Sequence, residues 1–184
     1  MIGRHQPAPI TRSKPSARVS SEGEETRMPI EAIRNFIRID DAVATGGQPT
    51  AEQFAEVREA GYEVVINLAP DGLDSSLPDE DALLRSMGME YVHIPVPWTA
   101  PRLEHFIAFV GAMDRTAGRR TLIHCQANFR VTAFYACYAA LRLGWDEERR
   151  ARLVDRVWGS TPDYRMDAAW KDFMDEAMRL GAQG

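Results

Sequence analysis

Residues 121–132 have the sequence TLIHCQANFRVT, in which a polar segment joins a short apolar run to a long apolar stretch. The apolar run before Cys125 predicts a buried β-strand. Val131 to Leu143 predicts a helix buried between layers, because it is apolar on nearly all sides. A strand, a tight loop and a helix N-terminus together make an anion site, since the first N–H groups of a helix have no intrahelical partner. The chain is therefore expected to bind an anion here.

Two side chains of the polar segment have the chemistry of a site for a tetrahedral anion. Cys125 begins the segment, where the positive end of a helix stabilises a thiolate. Arg130 ends it and offers a planar fork of donors that fits phosphate or sulfate. We therefore predict two catalytic residues, with Cys125 as the nucleophile and Arg130 as the group that stabilises the transition state.

The residues after Cys125 form a predicted anion-binding loop, in which backbone amides hold the oxygens of the anion. The loop comprises Gln126, Ala127, Asn128, Phe129 and Arg130. We expect a left-handed backbone at Asn128, because asparagine adopts that conformation more readily than most residues other than glycine. We also predict that His124 supports the loop through hydrogen bonds and does not act as a base.

Composition and charge limit the functions that the chain can have. Residues 1–27 hold five of its 22 Lys and Arg and three of its 27 Asp and Glu, so residues 28–184 carry a net charge of −7. Such an acidic domain disfavours binding to duplex nucleic acid. No apolar run approaches the ~20 residues that span a bilayer, and the N-terminus has no segment of signal-peptide type. We expect a soluble, cytoplasmic protein with no nucleic-acid or membrane partner.

The cysteine content argues against disulfides and metal sites. The chain has two cysteines, and a helix would place Cys137 about 12 Å from the loop, which is too far for a bond to Cys125. There is no CxxC motif, and the four histidines are scattered. We therefore expect two reduced thiols, no metal ion and no cofactor.

The order of the apolar segments predicts an α/β fold. Residues 1–27 are rich in Pro, Ser, Arg and Glu and are expected to form a disordered tail. Residues 28–184 are expected to form one three-layer domain, with a mostly parallel central sheet flanked by helices and with helices at its C-terminal end. The predicted strands are a short edge strand within 37–43, then 62–68, 89–96 and the run before Cys125. The predicted helices lie between Thr50 and Gly61 and at 80–87, 103–113, 131–143, 146–158 and 164–180.

Three residues near the predicted strand ends have two interpretations each. His93 is expected to be a packed, hydrogen-bonded histidine and not a ligand. Gln48, in a turn between two glycines and a proline, is expected to be structural and not a substrate contact. Trp98 either lines the mouth of a pocket or covers the core.

The loop resembles a known catalytic signature. His124, Cys125 and Arg130 resemble the sequence His-Cys-x-x-Gly-x-x-Arg-Ser/Thr of the cysteine-dependent tyrosine and dual-specificity phosphatases. More closely, the chain resembles a bacterial branch of that superfamily, related to the phosphatase-like domain of beta-lactamase-hydrolase-like proteins. The supporting segments are GQPT at 47–50, VINL at 65–68 and YVHIPV at 91–96.

This resemblance covers residues 33–160 and implies a phosphatase-like fold and activity. The implied reaction is hydrolysis of a phosphate monoester through a cysteinyl-phosphate intermediate on Cys125. The implied substrate is a phosphorylated small molecule or a phosphoprotein. His124 and Thr132 would support the catalytic residues.

The chain departs from the family pattern in three ways. It has four residues between Cys125 and Arg130 where the family has five, so Thr132 comes one residue late if Arg130 is the family arginine. Counted without a gap, Val131 takes the arginine place and Thr132 fits. Asn128 replaces the family glycine.

The third departure concerns the general acid, which the family supplies from the loop after the preceding strand. Residues 96–101 contain no acidic side chain, so Asp71, Asp74 or Asp79 of the neighbouring loop would have to substitute. Proton donation contributes ~10²–10⁴-fold to rate. We therefore expect a slow enzyme, or one limited to good leaving groups.

Three alternatives remain open from the sequence. Some rhodanese-like sulfurtransferases have a Cys-x-x-Gly-x-Arg loop of the same length, so Cys125 would carry a persulfide. A catalytically weak module would bind a phosphorylated partner or a small anion through the same loop. In a purely structural alternative, Cys125 is a buried core residue and Arg130 forms a surface ion pair.

Overall fold

The computed structural model of the protein describes residues 29–161 and 165–181, which contain five β-strands and six α-helices. The predicted tail at 1–27 lies outside the described residues. The strands are β1 (Ile37–Arg38), β2 (Val43–Gly46), β3 (Val64–Asn67), β4 (Glu90–His93) and β5 (Thr121–His124). The helices are α1 (Ala51–Glu59), α2 (Glu80–Ser86), α3 (Leu103–Arg115), α4 (Phe129–Leu143), α5 (Glu147–Trp158) and α6 (Ala168–Gly181).

The five strands form one sheet in the order β1-β2-β5-β3-β4. Only β1 runs antiparallel to its neighbour, so the sheet is mostly parallel, as predicted. Strand β5 is central, and its last residue, His124, pairs with Gly46 on one side and Asn67 on the other. The strand that leads into the predicted loop is therefore supported on both sides.

Alternation along the strands separates two apolar cores and confirms the three-layer prediction. Leu122 belongs to the core that includes Phe54 of α1 and Leu84 of α2. Ile123 belongs to the core that includes residues of α3, α4, α5 and α6. The sheet is thus the middle layer between two helical layers.

The prediction of a short edge strand within 37–43 is confirmed by β1, but β2 was missed, because its last residues were assigned to a turn; β2 pairs with β5. The two glycines that predicted a turn serve close packing instead. A Cβ atom on Gly46 would lie 2.8 Å from Cγ2 of Ile33, and one on Gly47 would lie 3.0 Å from the carbonyl of Gln126. A side chain larger than the hydrogen of glycine would therefore be crowded at both positions.

Helix α4 begins two residues before the predicted start, and α6 begins at Ala168 instead of 164. Every residue of α4 from Phe129 to Ala139 is buried, as the apolar composition predicts. Thr50 caps α1, and its hydroxyl accepts the N–H of Gln53. Within the described residues, every helix is too short or too polar to cross a membrane.

Candidate active site

Cys125 lies between the end of β5 and the start of α4, at the carboxyl edge of the sheet. It is fully buried, and its backbone N–H donates to the carbonyl of Gly46 at 3.3 Å. Helix α4 begins at Phe129, so three residues separate the cysteine from the helix. The first-turn N–H groups of α4, which have no intrahelical partner, lie at the end of this short loop. The strand, loop and helix N-terminus are arranged as the sequence predicts.

A pair of asparagines holds the loop. Asn128 has a φ of 69°, which is the left-handed conformation expected from the sequence. Its Nδ2 donates to the carbonyl of Asn35 at 2.7 Å and to the hydroxyl of Thr45 at 3.0 Å. Asn35 in turn donates from Nδ2 to the carbonyl of Ala127 at 2.9 Å. These bonds tie the loop to the segment before β1 and to β2.

Arg130 is buried, with 4% of its surface exposed, and is held at two points. Its Nε donates to the carbonyl of Val96 at 2.9 Å, and its guanidinium carbon lies 5.2 Å from the ring centre of Trp98. With Nε bonded to the protein, the two terminal nitrogens are the donors that can face two oxygens of an anion. A surface ion pair therefore does not describe Arg130. Val131, the other residue that could take the arginine place, lies in the apolar core.

Two tryptophans of the C-terminal helices hold the segments on either side of Arg130. Trp158 of α5 donates from Nε1 to the carbonyl of Phe129 at 3.3 Å. Trp170 of α6 donates from Nε1 to the carbonyl of Trp98 at 2.9 Å. The ring of Trp98 packs against both, with centroid distances of 5.6 Å and 5.3 Å. Trp98 therefore covers the core, one of its two expected roles.

The two supporting residues make different contacts. Thr132 is buried, and its hydroxyl lies 3.0 Å from the carbonyl of Asn128 and 3.1 Å from that of Phe129, so it stabilises the first turn of α4. His124 is also buried, and it bonds to Glu80 of α2. Gln126 is the exposed member of the loop.

The buried carboxylate of Glu80 is a feature of the site that sequence reasoning missed. Glu80 is 6% exposed and receives hydrogen bonds from three other segments of the chain. His124 Nε2 lies 3.0 Å from Oε1, and Asn67 Nδ2 donates to the same oxygen at 3.1 Å. Gln48 donates from Nε2 to Oε2, so its side chain is structural, as expected.

The network determines the charge that Glu80 carries. Burial raises the pKa of Glu80, but the hydrogen bond and charge of His124, with hydrogen bonds from Gln48 and Tyr91, outweigh burial and hold the pKa below its ordinary value. Burial and the negative charge of Glu80 raise the pKa of Tyr91. At neutral pH the site therefore contains a carboxylate at Glu80 beside a neutral phenol at Tyr91.

The three aspartates considered as general acids lie in the loop between β3 and α2. Asp71, Asp74 and Asp79 are all exposed, and Asp79 precedes α2 with a φ of 54°. Oδ1 of Asp71 lies 3.8 Å from Nδ1 of His93. His93 Nε2 lies 2.7 Å from the carbonyl of Ala69, which confirms that it is a hydrogen-bonded histidine.

The chain belongs to the family described as DSP-PTPase phosphatase fused to NAD+ kinase, whose model matches residues 37–161. Among curated proteins, the beta-lactamase hydrolase-like protein of Xylella fastidiosa (strain Temecula1) is 33% identical over 104 residues, and that of Agrobacterium fabrum is 28% identical over 108 residues. The matches cover 55% and 57% of this chain but 24% and 25% of the relatives. The chain thus spans about a quarter of the length of these relatives.

Solved structures show the same fold. A candidate phosphatase (DUF442) from Shewanella putrefaciens CN-32 has a TM-score of 0.73 and 33% identity, over 82% of this chain and 93% of that one. TpbA of Pseudomonas aeruginosa, in complex with pTyr, has a TM-score of 0.62 and 16% identity, over 82% and 91%. The core domain of the PP-IP phosphatase SIW14 from Saccharomyces cerevisiae has a TM-score of 0.62 and 18% identity, over 85% and 94%. These matches confirm the predicted phosphatase-like fold and family.

Proposed function

We propose that the protein is a cysteine-dependent phosphatase that hydrolyses a phosphate monoester through a cysteinyl-phosphate on Cys125. The observation that carries this proposal is the continuous turn from β5 through Cys125 and left-handed Asn128 into α4, with Arg130 buried beside it. A thiolate in this position faces the N–H groups of a helix start, which suit a tetrahedral anion.

The proposed reaction has two steps at phosphorus. In the first, Sγ of Cys125 attacks phosphorus, the P–S bond forms and the P–O ester bond breaks, while the departing oxygen takes a proton from an acid or from water. In the second, water attacks phosphorus, the P–S bond breaks, and inorganic phosphate leaves with the thiolate restored. The terminal nitrogens of Arg130 and the loop amides stabilise the charge on the transferring group in both steps.

The family supports the proposed substrate class. With the loop binding the phosphate group, the proposed substrate is a phosphorylated small molecule or a phosphoprotein. Known proteins of the same fold include one crystallised with pTyr and one described as a PP-IP phosphatase. Sulfur transfer is the less favoured function, because the named proteins of this fold are phosphatases.

One parallel assay tests the proposal. Wild type and Cys125→Ser are incubated with p-nitrophenyl phosphate and, separately, with thiosulfate and a thiol acceptor. We expect hydrolysis by wild type alone, with a phosphoryl group on Cys125 after acid quenching, detected by mass spectrometry. Equal hydrolysis by both proteins would refute the cysteine mechanism. Addition of a single sulfur atom to Cys125, without phosphate release, would replace phosphatase activity with sulfur transfer.

The general acid has its own test. Asp71, Asp74 and Asp79 lie in the loop beside the site, and each is changed to Asn. If one of them donates the proton, its variant loses more rate on alkyl phosphates than on aryl phosphates, because a poor leaving group depends more on protonation. Equal effects on both substrates would exclude that residue.

A further inference from the structure

Glu80 contacts one chain neighbour of Cys125 directly and is linked to the other through one intervening residue. It begins α2, yet its carboxylate is buried, and a buried carboxylate costs stability unless its oxygens are hydrogen-bonded. Here the bonds come from separate segments: β5, β3 and the turn before α1. Strand β5 leads directly into the catalytic loop, and the turn before α1 is hydrogen-bonded to that loop.

The first contact is to the residue before Cys125. Nε2 of His124 lies 3.0 Å from Oε1 of Glu80, and an ionised carboxylate only accepts hydrogen bonds. Nε2 of His124 must therefore carry a proton, and its bond to Glu80 holds the orientation of the ring. The ring also packs edge-on against Phe54, with 5.7 Å between centroids. The end of β5 is thus held by its side chain as well as by strand pairing.

The second contact is to the residue after Cys125. The side chain of Gln48 donates to Oε2 of Glu80, and the backbone N–H of Gln48 donates to the carbonyl of Gln126 at 3.2 Å. Glu80 therefore bonds directly to the residue before Cys125 and is linked, through the side chain and backbone of Gln48, to the residue after it.

We propose that Glu80 is a positioning residue of the site, which sets the direction of the Cys125 thiolate by holding His124 and, through Gln48, Gln126. This inference rests on the proposed phosphatase function. A misplacement of about 1 Å at a reacting group can cost about 100-fold in rate. Loss of Glu80 should therefore lower kcat strongly while KM changes little, because the anion is still bound by Arg130 and the loop amides.

The matched control is the neighbouring residue on the same helix. Asp81 is exposed and pairs with Arg85 at 2.5 Å. We expect Glu80→Gln to lower kcat for p-nitrophenyl phosphate about 100-fold, since the amide presents a donor where two donors already point. Asp81→Asn removes the same charge one residue away and should stay within about 2-fold of wild type. Equal kcat values for the two variants would overturn the proposal.

Chemical rescue separates positioning from a general loss of structure. Glu80 lines a polar cleft of about 420 Å³, whose walls also include Asn67, Tyr91 and His93. The cleft gives small molecules a route to the place of the carboxylate. In Glu80→Ala, formate should restore kcat in a saturable manner, whereas wild type and Asp81→Asn should gain nothing. An inactive Glu80→Ala protein that melts like wild type but does not respond to formate would count against the proposal.

A spectroscopic measurement keeps this inference separate from the proposed function. In ¹⁵N-labelled wild type, the His124 ring should show a slowly exchanging proton on Nε2, assigned by comparison with His124→Asn. That signal should vanish in Glu80→Ala and persist in Asp81→Asn. If wild type and Cys125→Ser hydrolyse phosphate equally, the phosphatase proposal fails while this measurement still tests the Glu80–His124 contact. A signal unchanged in Glu80→Ala would refute the contact itself.

Discussion

The two cysteines of the chain have the same burial and very different surroundings. Both thiols are free and fully buried, and one precedes helix α4 while the other lies in its middle. Burial raises the pKa of Cys137 to about 12, and its Sγ lies 4.0 Å from the carbonyl of Met174. Cys125 lies instead between two residues, His124 and Gln126, that are tied to a polar network.

This difference indicates that burial alone does not determine what a thiol can do. In the middle of α4 every backbone N–H is used by the helix, so a thiolate there would have no backbone donor. At the start of α4 the N–H groups point into the loop and favour negative charge. The position of a cysteine along one helix can thus separate a structural thiol from a nucleophile.

The same substitution at both cysteines gives the largest expected effect. Cys125→Ser should lower hydrolysis of an aryl phosphate by about 10⁴-fold or more, because a serine hydroxyl is a far weaker nucleophile at neutral pH. Cys137→Ser should retain the rate but lose about 1–3 kcal/mol of unfolding free energy, because it buries a hydroxyl, which is more polar than a thiol. Steady-state kinetics and urea unfolding measure the two quantities. If Cys137→Ser were the inactive variant, the assignment of Cys125 as the nucleophile and Cys137 as a structural thiol would be refuted.

Two arginines that lie over tryptophan rings provide the next test. Arg130→Lys keeps the charge but loses the planar fork and the bond from Nε to Val96, so kcat/KM should fall about 10²–10³-fold. Arg149 of α5 lies 3.8 Å from the ring centre of Trp145, which precedes that helix. Arg149→Lys should leave kcat/KM within about 2-fold of wild type. A kcat/KM for Arg130→Lys within about 2-fold of wild type would mean that charge, and not the fork, is the important property of Arg130.

Opposite preferences for glycine and alanine should distinguish the loop from the middle of α4. Asn128 has a positive φ, so Asn128→Ala should lose about 1–3 kcal/mol of unfolding free energy, and Asn128→Gly should lose less. Ala136 is buried within the helix, where Ala136→Gly should cost about 1 kcal/mol. Urea unfolding of the three variants checks these values. If alanine were tolerated better than glycine at 128, the left-handed conformation would be refuted.

The smallest expected effect is the pH dependence that comes from Glu80. Its folded-state pKa is lowered from an ordinary value of 4.5, so its contribution to stability is present above that pH and is lost as the pH falls through the lower, folded value. Below pH 4.5, wild type should lose unfolding free energy faster than Glu80→Gln, by at most about 1.4 kcal/mol per pH unit. Urea unfolding of both proteins at several pH values measures the difference. Parallel curves would show that Glu80 is not held as a carboxylate.

The fold was predictable because its signals are local. The apolar run, the polar loop and the apolar helix follow one another in residues 121–143, and the alternation of strands and helices predicts the layers. The position of β2 was not predictable in the same way, since Gly46 and Gly47 indicate a turn when contacts with Ile33 and Gln126 are unknown. Their small size is required by packing between segments far apart in the chain.

The candidate site was predictable only in part, for a similar reason. Cys125, Asn128 and Arg130 are close in sequence, and the left-handed backbone of Asn128 follows from its residue type. Glu80 meets His124 across 44 positions of the chain. At the sequence level it is an ordinary acidic residue at the start of a helix, where such residues are favoured by the helix dipole. Its burial could not be predicted, because its partners His124, Asn67 and Gln48 come from segments that are far from it in the chain.

The hydrogen bond from Trp170 to Trp98 bears on where this module can be cut or fused to other domains. The family match ends at residue 161, whereas Trp170 lies in α6. Trp170 donates to the carbonyl of Trp98, and the guanidinium of Arg130 lies over the ring of Trp98. A boundary drawn at residue 161 would remove that donor and uncover the indole of Trp98. For this chain, the unit that an engineer or a recombination event must keep whole includes α6, beyond the span that the family shares.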